Sequence, residues 1–420
     1  MREQVLPPVV SSDGRGSTDQ TPRGQLLRRR TFVKPLIAPT GVRMLHQDTG
    51  DRPFIIFWEV TRACGLACRH CRANAMPLRD PLELTTQEGF DLIDDIVAYG
   101  PPRPILVITG GDPFERDDLC ELVTHATSQG LHVALSPSVT PRLTRDRLTA
   151  LRAAGARALS LSLDGARPET HDRVRGIDGV HHNTLAAAAT ARELGYRLQI
   201  NTTVTLDNVG ELPDVLAWVI DAAVSLWSVF LLVPTGRGAL LAGLDADQVE
   251  EVLHWLHDIG ELVPVKTTEA PHFRRIAMQR AQVEVGDLDH AFPVGPLRKQ
   301  LRERTRALVA DSHPHRHRRA PLSVNAGRGV AFVDHHGMIY PSGFLPLEVG
   351  SVRDQQLSKW YRESQVLRSL RNPDGFTGKC SVCEFRDVCG GSRSRAYAAS
   401  GNPLGEDPSC AYVPMILAQA

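Results

Sequence analysis

The sequence predicts an α/β fold, a partial (β/α)6 barrel followed by a small cysteine-rich domain. Six short β-rich runs alternate with amphipathic stretches between residues 54 and 233. This order is typical of parallel strands joined by right-handed helical crossovers. Several runs are apolar on both faces, as a sheet covered by helices requires. Six units favour a partial barrel over a closed eightfold one, and periodicity alone leaves an open sheet as the alternative.

The elements follow one another in a regular order. The predicted strands are Phe54–Val60, Ile105–Thr109, His132–Ser136, Ala158–Leu163, Leu198–Thr205 and Trp227–Val233. The predicted helices lie near 86–99, 115–129, 143–154, 178–194 and 211–223. Four segments result: a disordered basic tail over 1–50, the barrel over 51–240, a helical connector over 241–320 and an auxiliary domain over 321–420.

Composition excludes several classes of protein. The chain has 420 residues, enough for two or three domains, and its 48 Lys and Arg balance 48 Asp and Glu. A net charge of zero argues against a general nucleic-acid binder. The sequence contains no run of about 18 apolar residues, so it predicts no membrane span. Eight cysteines are too few for a disulfide scaffold of this length.

The N-terminal tail over 1–50 contains one misleading pattern. Arg29 and Arg30 begin a stretch that resembles a twin-arginine export motif. Pro35 and Pro39 interrupt the apolar segment that should follow, so a solvated basic tail is the preferred interpretation. The His-rich stretch Ser312–Arg319 is likewise interpreted as a solvated connector.

Three cysteines lie directly after the first predicted strand. Cys64, Cys68 and Cys71 have the spacing CxxxCxxC, at the end of a parallel sheet where ligands bind. Thiolates suit iron–sulfur clusters, and three of them leave one iron of a [4Fe–4S] cluster open for a substrate or cofactor. The alternative is a zinc site with His70 as fourth ligand, which its position directly beside Cys71 makes awkward.

With this motif the chain resembles the radical S-adenosylmethionine (SAM) enzymes over roughly residues 54–420. The resemblance implies that Cys64, Cys68 and Cys71 are the catalytic cluster ligands and that the open iron binds SAM. Reductive cleavage of SAM then yields a 5'-deoxyadenosyl radical, which abstracts hydrogen from a substrate. One departure is His70, where the family often has an aromatic residue.

The segment Gly110, Gly111 and Asp112 ends the second strand and resembles the family's Gly-Gly-Glu motif. Glycines allow backbone carbonyls to approach the SAM ammonium group. An ordinary turn is the alternative, since Gly-Gly-Asp-Pro is also good turn chemistry.

The resemblance implies further SAM contacts on later strands. Ser162 and Asp164 end strand four and match ribose-binding positions, and Arg175 matches an arginine that reaches the SAM carboxylate. Asn201 on strand five and the backbone near Val233 match further positions, Val233 beside the adenine. A plain turn at Asp164 and a solvated Arg175 are the alternatives.

A second group of cysteines lies near the C-terminus. Cys380, Cys383, Cys389 and Cys410 supply four thiolates, enough to saturate a second [4Fe–4S] cluster. A structural zinc held by the same four residues is the alternative. The remaining cysteine, Cys120, is expected to be a small buried hydrophobe.

The C-terminal region resembles the SPASM/twitch extension of radical SAM enzymes. Ser342 and Ser392 stand where relatives often carry further cysteines, so one auxiliary cluster is expected, with a role in electron transfer or structural support. The segments Thr109–Pro113 and Lys379–Tyr397 look like enzymes of haem d1 and alternative haem biosynthesis. The implied substrate is a tetrapyrrole side chain. Four arginines are candidates to pair with its carboxylates, namely Arg328, Arg353, Arg393 and Arg395.

Other functions remain open at the level of sequence. They are maturation of a ribosomal peptide, tailoring of a sugar or natural product, and a non-catalytic iron–sulfur protein. Oxygen-sensitive clusters favour the cytoplasm. The resemblance implies a flavodoxin or ferredoxin as reductant, and a small-molecule or peptide substrate. No nucleic acid or membrane partner is expected.

Overall fold

One eleven-stranded sheet runs through the computed structural model, which describes residues 41–45, 47–309 and 318–418. Nearly all of the predicted basic tail, and residues 312–317 of the His-rich stretch, lie outside these residues. The strands are β1 Ile55–Glu59, β2 Ile105–Thr109, β3 Val133–Leu135, β4 Ala158–Ser162, β5 Arg197–Val204, β6 Leu226–Leu231, β7 Val265–Thr268, β8 Asn325–Ala326, β9 Gly329–Val333, β10 Met338–Tyr340 and β11 Gly350–Ser351.

Strands β1 to β7 are parallel and adjacent in chain order, which confirms the α/β prediction and all six predicted strands. The seventh strand, β7, was not predicted, and it lies in the segment expected to be a helical connector. Its four residues, VKTT, are too few to show an alternating pattern. The sheet continues past β1 in the other direction because β9 pairs with β1 in parallel.

Helices follow most of the parallel strands. The helices are α1 Thr86–Val97, α2 Leu119–Ser128, α3 Arg145–Ala153, α4 Pro168–Arg175, α5 Val180–Glu193, α6 Leu212–Asp221, α7 Ala246–Asp258, α8 His272–Arg280, α9 Leu288–Ala291, α10 Pro296–Leu308, α11 Leu357–Glu363, α12 Gln365–Arg371, α13 Arg393–Ser400 and α14 Met415–Ala418. Of these, α1, α2 and α5 pack on the sheet or on one another. Capping boxes begin α1 and α7. No helix within the described residues has the length and apolar character needed to cross a bilayer.

The two faces of the sheet differ in polarity. On the outer face, Trp58 is fully buried, and a side-chain carbon added to Gly89 of α1 would lie 2.8 Å from its ring. The inner face carries a polar row, since strand register pairs Ser162 with Asn201, Asn201 with Ser228, and Ser228 with Lys266. The barrel interior is therefore suited to a polar ligand.

The C-terminal region packs directly on the barrel. Beyond the β1–β9 pairing, Ser358 of α11 binds Asp95 of α1, with its amide at 3.1 Å and its hydroxyl at 2.6 Å from the carboxylate. Both residues are buried. Cys120 on α2 is exposed, so its expected burial was wrong. It lies on the solvent side of a helix whose other face packs on the sheet.

Replacing Ser358 with Ala should destabilise the protein by about 1–3 kcal/mol, because Asp95 would keep a buried charge and lose one of its two donors from this residue. Thermal unfolding of the cluster-loaded protein measures the effect. Ser128→Ala, which removes an exposed hydroxyl on α2, should change the midpoint little. Equal midpoints for the two variants would contradict this account of the interface.

Candidate functional site

The loop after β1 carries the three N-terminal cysteines and is folded tightly. The amide of Cys71 donates to the carbonyl of Cys68 at 3.3 Å, and the amide of Cys64 donates to Met76 at 2.8 Å. Cys64 and Cys68 are buried, and Cys71 is partly exposed. Burial raises the pKa of the Cys64 thiol to about 11. Thiols held this way are inert until a metal takes the place of their protons.

The Gly110 and Gly111 backbone lies against this loop. The Gly111 amide donates to Thr61 and the Asp112 amide to Ala63, each at 2.7 Å. A side-chain carbon on Gly111 would lie only 2.4 Å from the Ala63 carbonyl oxygen. Glycine is needed here because β2 and the cysteine loop approach backbone to backbone.

The Asp112 carboxylate is fully buried and bound by protein donors. It accepts from the Thr140 hydroxyl at 2.7 Å and from the Phe114 amide at 3.1 Å. Ser138, which follows β3, donates to the Gly111 carbonyl at 2.8 Å. Its hydroxyl oxygen also lies 3.4 Å from Cys64 Sγ. Asp112 thus braces the turn, and Ser138 connects it to the cysteine.

Asp164 and Arg175 form a buried ion pair beside the same loop. Arg175 Nη1 lies 3.7 Å from Cys68 Sγ, and the Asp164 carboxylate also accepts from the Thr203 amide at 2.7 Å. Burial opposes ionisation of Asp164, but the charge of Arg175 holds its pKa below the usual value. The plain turn at Asp164 and the solvated Arg175 are therefore not what the structure shows.

His70 faces Asp164, with Nε2 at 3.6 Å from the carboxylate. Burial lowers the pKa of this imidazole to about 4. A ring nitrogen directed at Asp164 does not favour the alternative in which His70 completes a zinc site with the cysteines.

Three further predicted residues lie on or just after later strands. Ser162 and Asn201 are register neighbours on the inner face, and Asn201 accepts from Gln199 at 2.7 Å. Val233 is buried just after β6. In the same segment, a side-chain carbon on Gly236 would lie 2.6 Å from the Cys71 carbonyl oxygen. The segment after β6 thus packs against the cysteine loop, as the end of β2 does.

The four C-terminal cysteines line one small enclosed cavity. Cationic groups surround it, since Arg393 lies 3.8 Å from Cys380 Sγ, Lys379 donates to the Cys410 carbonyl and Arg274 donates to the Cys389 carbonyl. Burial raises the pKa of Cys383 to about 11. Four thiols around one cavity, with positive charge nearby, fit an anionic metal–thiolate centre.

The two serines at the positions of absent cysteines have protein partners. Ser392 caps α13 and donates to Glu269 at 2.5 Å, and Ser342 lies 3.4 Å from the Ser394 hydroxyl. Glu269 follows β7 with φ of 53°, a strained backbone for a residue other than glycine. Glu269 was not predicted as a site residue, because β7 itself was not recognised.

The four arginines proposed to bind substrate carboxylates already have protein acceptors. Arg353 pairs with Glu88, Arg395 pairs with Asp407, and Arg328 and Arg393 donate to backbone carbonyls. These guanidinium groups stabilise the C-terminal region and its contact with α1, and their pairing with substrate carboxylates stays a prediction.

Comparison with known proteins decides the family. The family model described as "Radical SAM superfamily" matches residues 58–219. The "AdoMet-dependent heme synthase" of Oleidesulfovibrio alaskensis is 38% identical over 364 residues, which cover 86% of this chain and 87% of that protein. The chain belongs to the radical SAM superfamily. A protein of the same name from Methanosarcina barkeri is 35% identical, with 87% of this chain and 98% of that protein covered.

The fold agrees with this radical SAM assignment. The crystal structure of Streptococcus suis SuiB bound to S-adenosylmethionine has a TM-score of 0.63, at 14% identity over 86% of this chain and 78% of that one. Membership implies a [4Fe–4S] cluster and SAM. The donor set fits them, because three thiols share a loop with Arg175 nearby and a glycine backbone packed against it.

Gly111→Ala should disturb the cysteine loop, because the added carbon would collide with the Ala63 carbonyl. We expect the iron content of the reconstituted protein to fall by roughly half, with the four-cysteine site still loaded. Iron analysis with circular dichroism measures loading and folding separately. Gly210→Ala is the control, since the nearest atom to its added carbon is 3.8 Å away. Full iron in Gly111→Ala would show that the close approach is not required.

Proposed function

We propose that this radical SAM enzyme removes a carboxyl-derived group from the side chain of a tetrapyrrole in haem-related biosynthesis. The similarity to proteins named AdoMet-dependent heme synthase supports the reaction class. The observation that carries the substrate class is Lys266, a cation on the barrel's inner face without a carboxylate partner among the described residues.

Each site residue has a proposed role in this chemistry. A cluster held by Cys64, Cys68 and Cys71 together with SAM supplies the 5'-deoxyadenosyl radical. Gly110 and Gly111 present backbone to the SAM ammonium group, and Asp112 holds that backbone in place through its own hydrogen bonds. The polar contacts to the rest of SAM are assigned to Ser162, Asp164, Arg175, Asn201 and the backbone at Val233.

The C-terminal region, 321–420, is proposed to be a SPASM/twitch-like domain. Its Cys380, Cys383, Cys389 and Cys410 would hold an auxiliary [4Fe–4S] cluster that protein ligands fully saturate. The sequence between barrel and domain, 241–320, connects them and contributes β7 to the barrel wall. We further propose a cytoplasmic location and a flavodoxin or ferredoxin reductant.

Lys266 is suited to bind a substrate carboxylate. It neighbours Ser228 in register, and Ser228 and Thr268 place their hydroxyls 3.4 Å apart on the same inner face. Burial, with the nearby charge of Arg319, lowers the pKa of Lys266 to about 8. Burial and a neighbouring cation both destabilise the charged form of this amine. A bound substrate carboxylate would therefore stabilise the charged amine.

Aromatic rings lie on the same inner face of the sheet as Lys266. Phe230 on the inner face of β6 lies 6.3 Å from Phe344, ring centre to ring centre. Phe332 of β9 is the register partner of Phe57, and Arg72 lies 4.5 Å from the centre of its ring. Flat rings beside cations are complementary to an aromatic macrocycle with carboxylate arms.

The reaction class is tested by reductive cleavage of SAM. Anaerobically reconstituted protein, given SAM and a strong reductant, should form 5'-deoxyadenosine. The variant with Cys64, Cys68 and Cys71 all changed to Ala should form none and keep roughly half the iron, because the four-cysteine site remains. Product formation by that variant would contradict the assignment of the three ligands.

The substrate class is tested by binding. Iron coproporphyrin III, a tetrapyrrole with carboxylate side chains, should bind with a shift of its Soret band. Lys266→Met should weaken binding at least about tenfold, the cost of removing one partner of a charged hydrogen bond. Binding should also weaken as pH rises through about 8, since the amine loses its proton there, and Lys266→Met should lose that dependence.

Lys359→Met, at an exposed position on α11, is the matched control and should bind as the unaltered protein does. Tight binding of a precursor peptide or a nucleotide sugar, with none of the porphyrin, would instead favour the peptide-maturase or tailoring alternative.

A further inference from the structure

A third group of metal-ligating side chains lies outside both cysteine clusters. Asp80, His335 and His336 each offer a ligand atom, and these atoms all lie within 4.8 Å of one another. His336 Nε2 is 3.1 Å from the Asp80 carboxylate, and the two imidazole rings have centres 4.0 Å apart, with their planes tilted by 34°. Two imidazoles and one carboxylate form a common donor set for zinc.

His335 is the unusual member of this cluster. Its side chain is 4% exposed, and neither ring nitrogen has a hydrogen-bond partner among the described residues. A buried imidazole without a hydrogen-bond partner is costly unless a ligand satisfies it. Its closeness to the other two ligand atoms is explained if a cation completes the site.

Glu59 is the charged group beside the same imidazole. Its carboxylate oxygen is 3.3 Å from His335 Nδ1, an ion-pair distance without a hydrogen bond. Glu59 is itself buried and bound by Arg72 at 2.9 Å. With Nδ1 facing a carboxylate, Nε2 is the nitrogen left for a metal, the arrangement in which an outer carboxylate orients a metal-bound histidine.

We propose that Asp80, His335 and His336 bind a divalent cation of the zinc type, with Glu59 orienting His335. The two histidines begin the turn between β9 and β10, while Asp80 lies on the loop between the first cysteine cluster and α1. The Leu84 amide already donates to the His335 carbonyl at 2.8 Å across this contact. The ion cross-links the C-terminal region to the segment that follows the cysteine loop, a role separate from the radical chemistry.

The test uses cluster-loaded protein, so that iron already occupies the cysteines. Zinc sulfate is added anaerobically, excess is removed, and zinc and iron per chain are measured by mass spectrometry. X-ray absorption at the zinc edge then identifies the ligand atoms. We expect about one zinc per chain with nitrogen and oxygen ligands. Asp80→Asn and His336→Ala should each weaken zinc binding at least about tenfold, with iron content unchanged.

The matched control is Asp94→Asn. Asp94 forms an exposed pair with His125 at 2.6 Å but is not part of such a three-residue group, so this variant should retain zinc. Three results would overturn the proposal: no zinc retained by the unaltered protein, zinc bound through sulfur, or zinc binding unaffected by Asp80→Asn. Zinc bound through sulfur would place the ion in a cysteine site.

Discussion

The contact between the Gly-Gly end of β2 and the cysteine loop is the constraint on which the site depends. Two backbone amides, of Gly111 and Asp112, hold the loop at 2.7 Å, and any side chain at Gly111 would force the segments apart. Because the contact is made by backbone, it fixes where the three thiols lie relative to the barrel. The Ser138 hydroxyl, just after strand three, then holds the turn by donating to the Gly111 carbonyl, and the Asp112 carboxylate holds it by accepting from Thr140.

Charge around the loop follows from the same geometry. Asp164 is buried between Arg175 and His70, so the ion pair can only exist if α4 returns its last residue to the cysteine loop. Gly176 ends α4 with φ of 75°, and a side-chain carbon there would lie 2.7 Å from the Ala67 carbonyl oxygen. Gly111 and Gly176 therefore allow close packing on two sides of the cysteine loop. The side chains of Asp164, Arg175 and His70 fill the space that remains.

Much of this architecture was predictable from the sequence, for physical reasons. Short apolar strands that alternate with amphipathic helices are typical of a parallel sheet covered by helices, and the spacing of cysteines indicates which of them can bind one metal centre. The features that were not predicted are either short elements or side chains whose partners are distant in sequence. Strand β7 has four residues and no visible alternation, and Lys266 and Glu269 on and after it were missed with it. The protein acceptors of the four arginines were not predicted, because they are mostly backbone carbonyls and distant carboxylates, which no local pattern reveals.

The C-terminal region is joined to the barrel through the sheet itself, since β9 pairs with β1 beside the cysteine loop. This pairing joins the C-terminal region, which contains the four-cysteine cavity, to the barrel, which contains Lys266, and the aromatic rings lie on both.

The central claim is that the substrate of this protein is a carboxylate-bearing tetrapyrrole. The most direct measurement uses iron coproporphyrin III deuterated on its propionate side chains, incubated with the protein, SAM and reductant. Our account predicts deuterium in the 5'-deoxyadenosine and a porphyrin product that has lost carbon dioxide, with the one electron released by the substrate radical passing to the proposed auxiliary cluster. Unlabelled 5'-deoxyadenosine with unchanged porphyrin would contradict it.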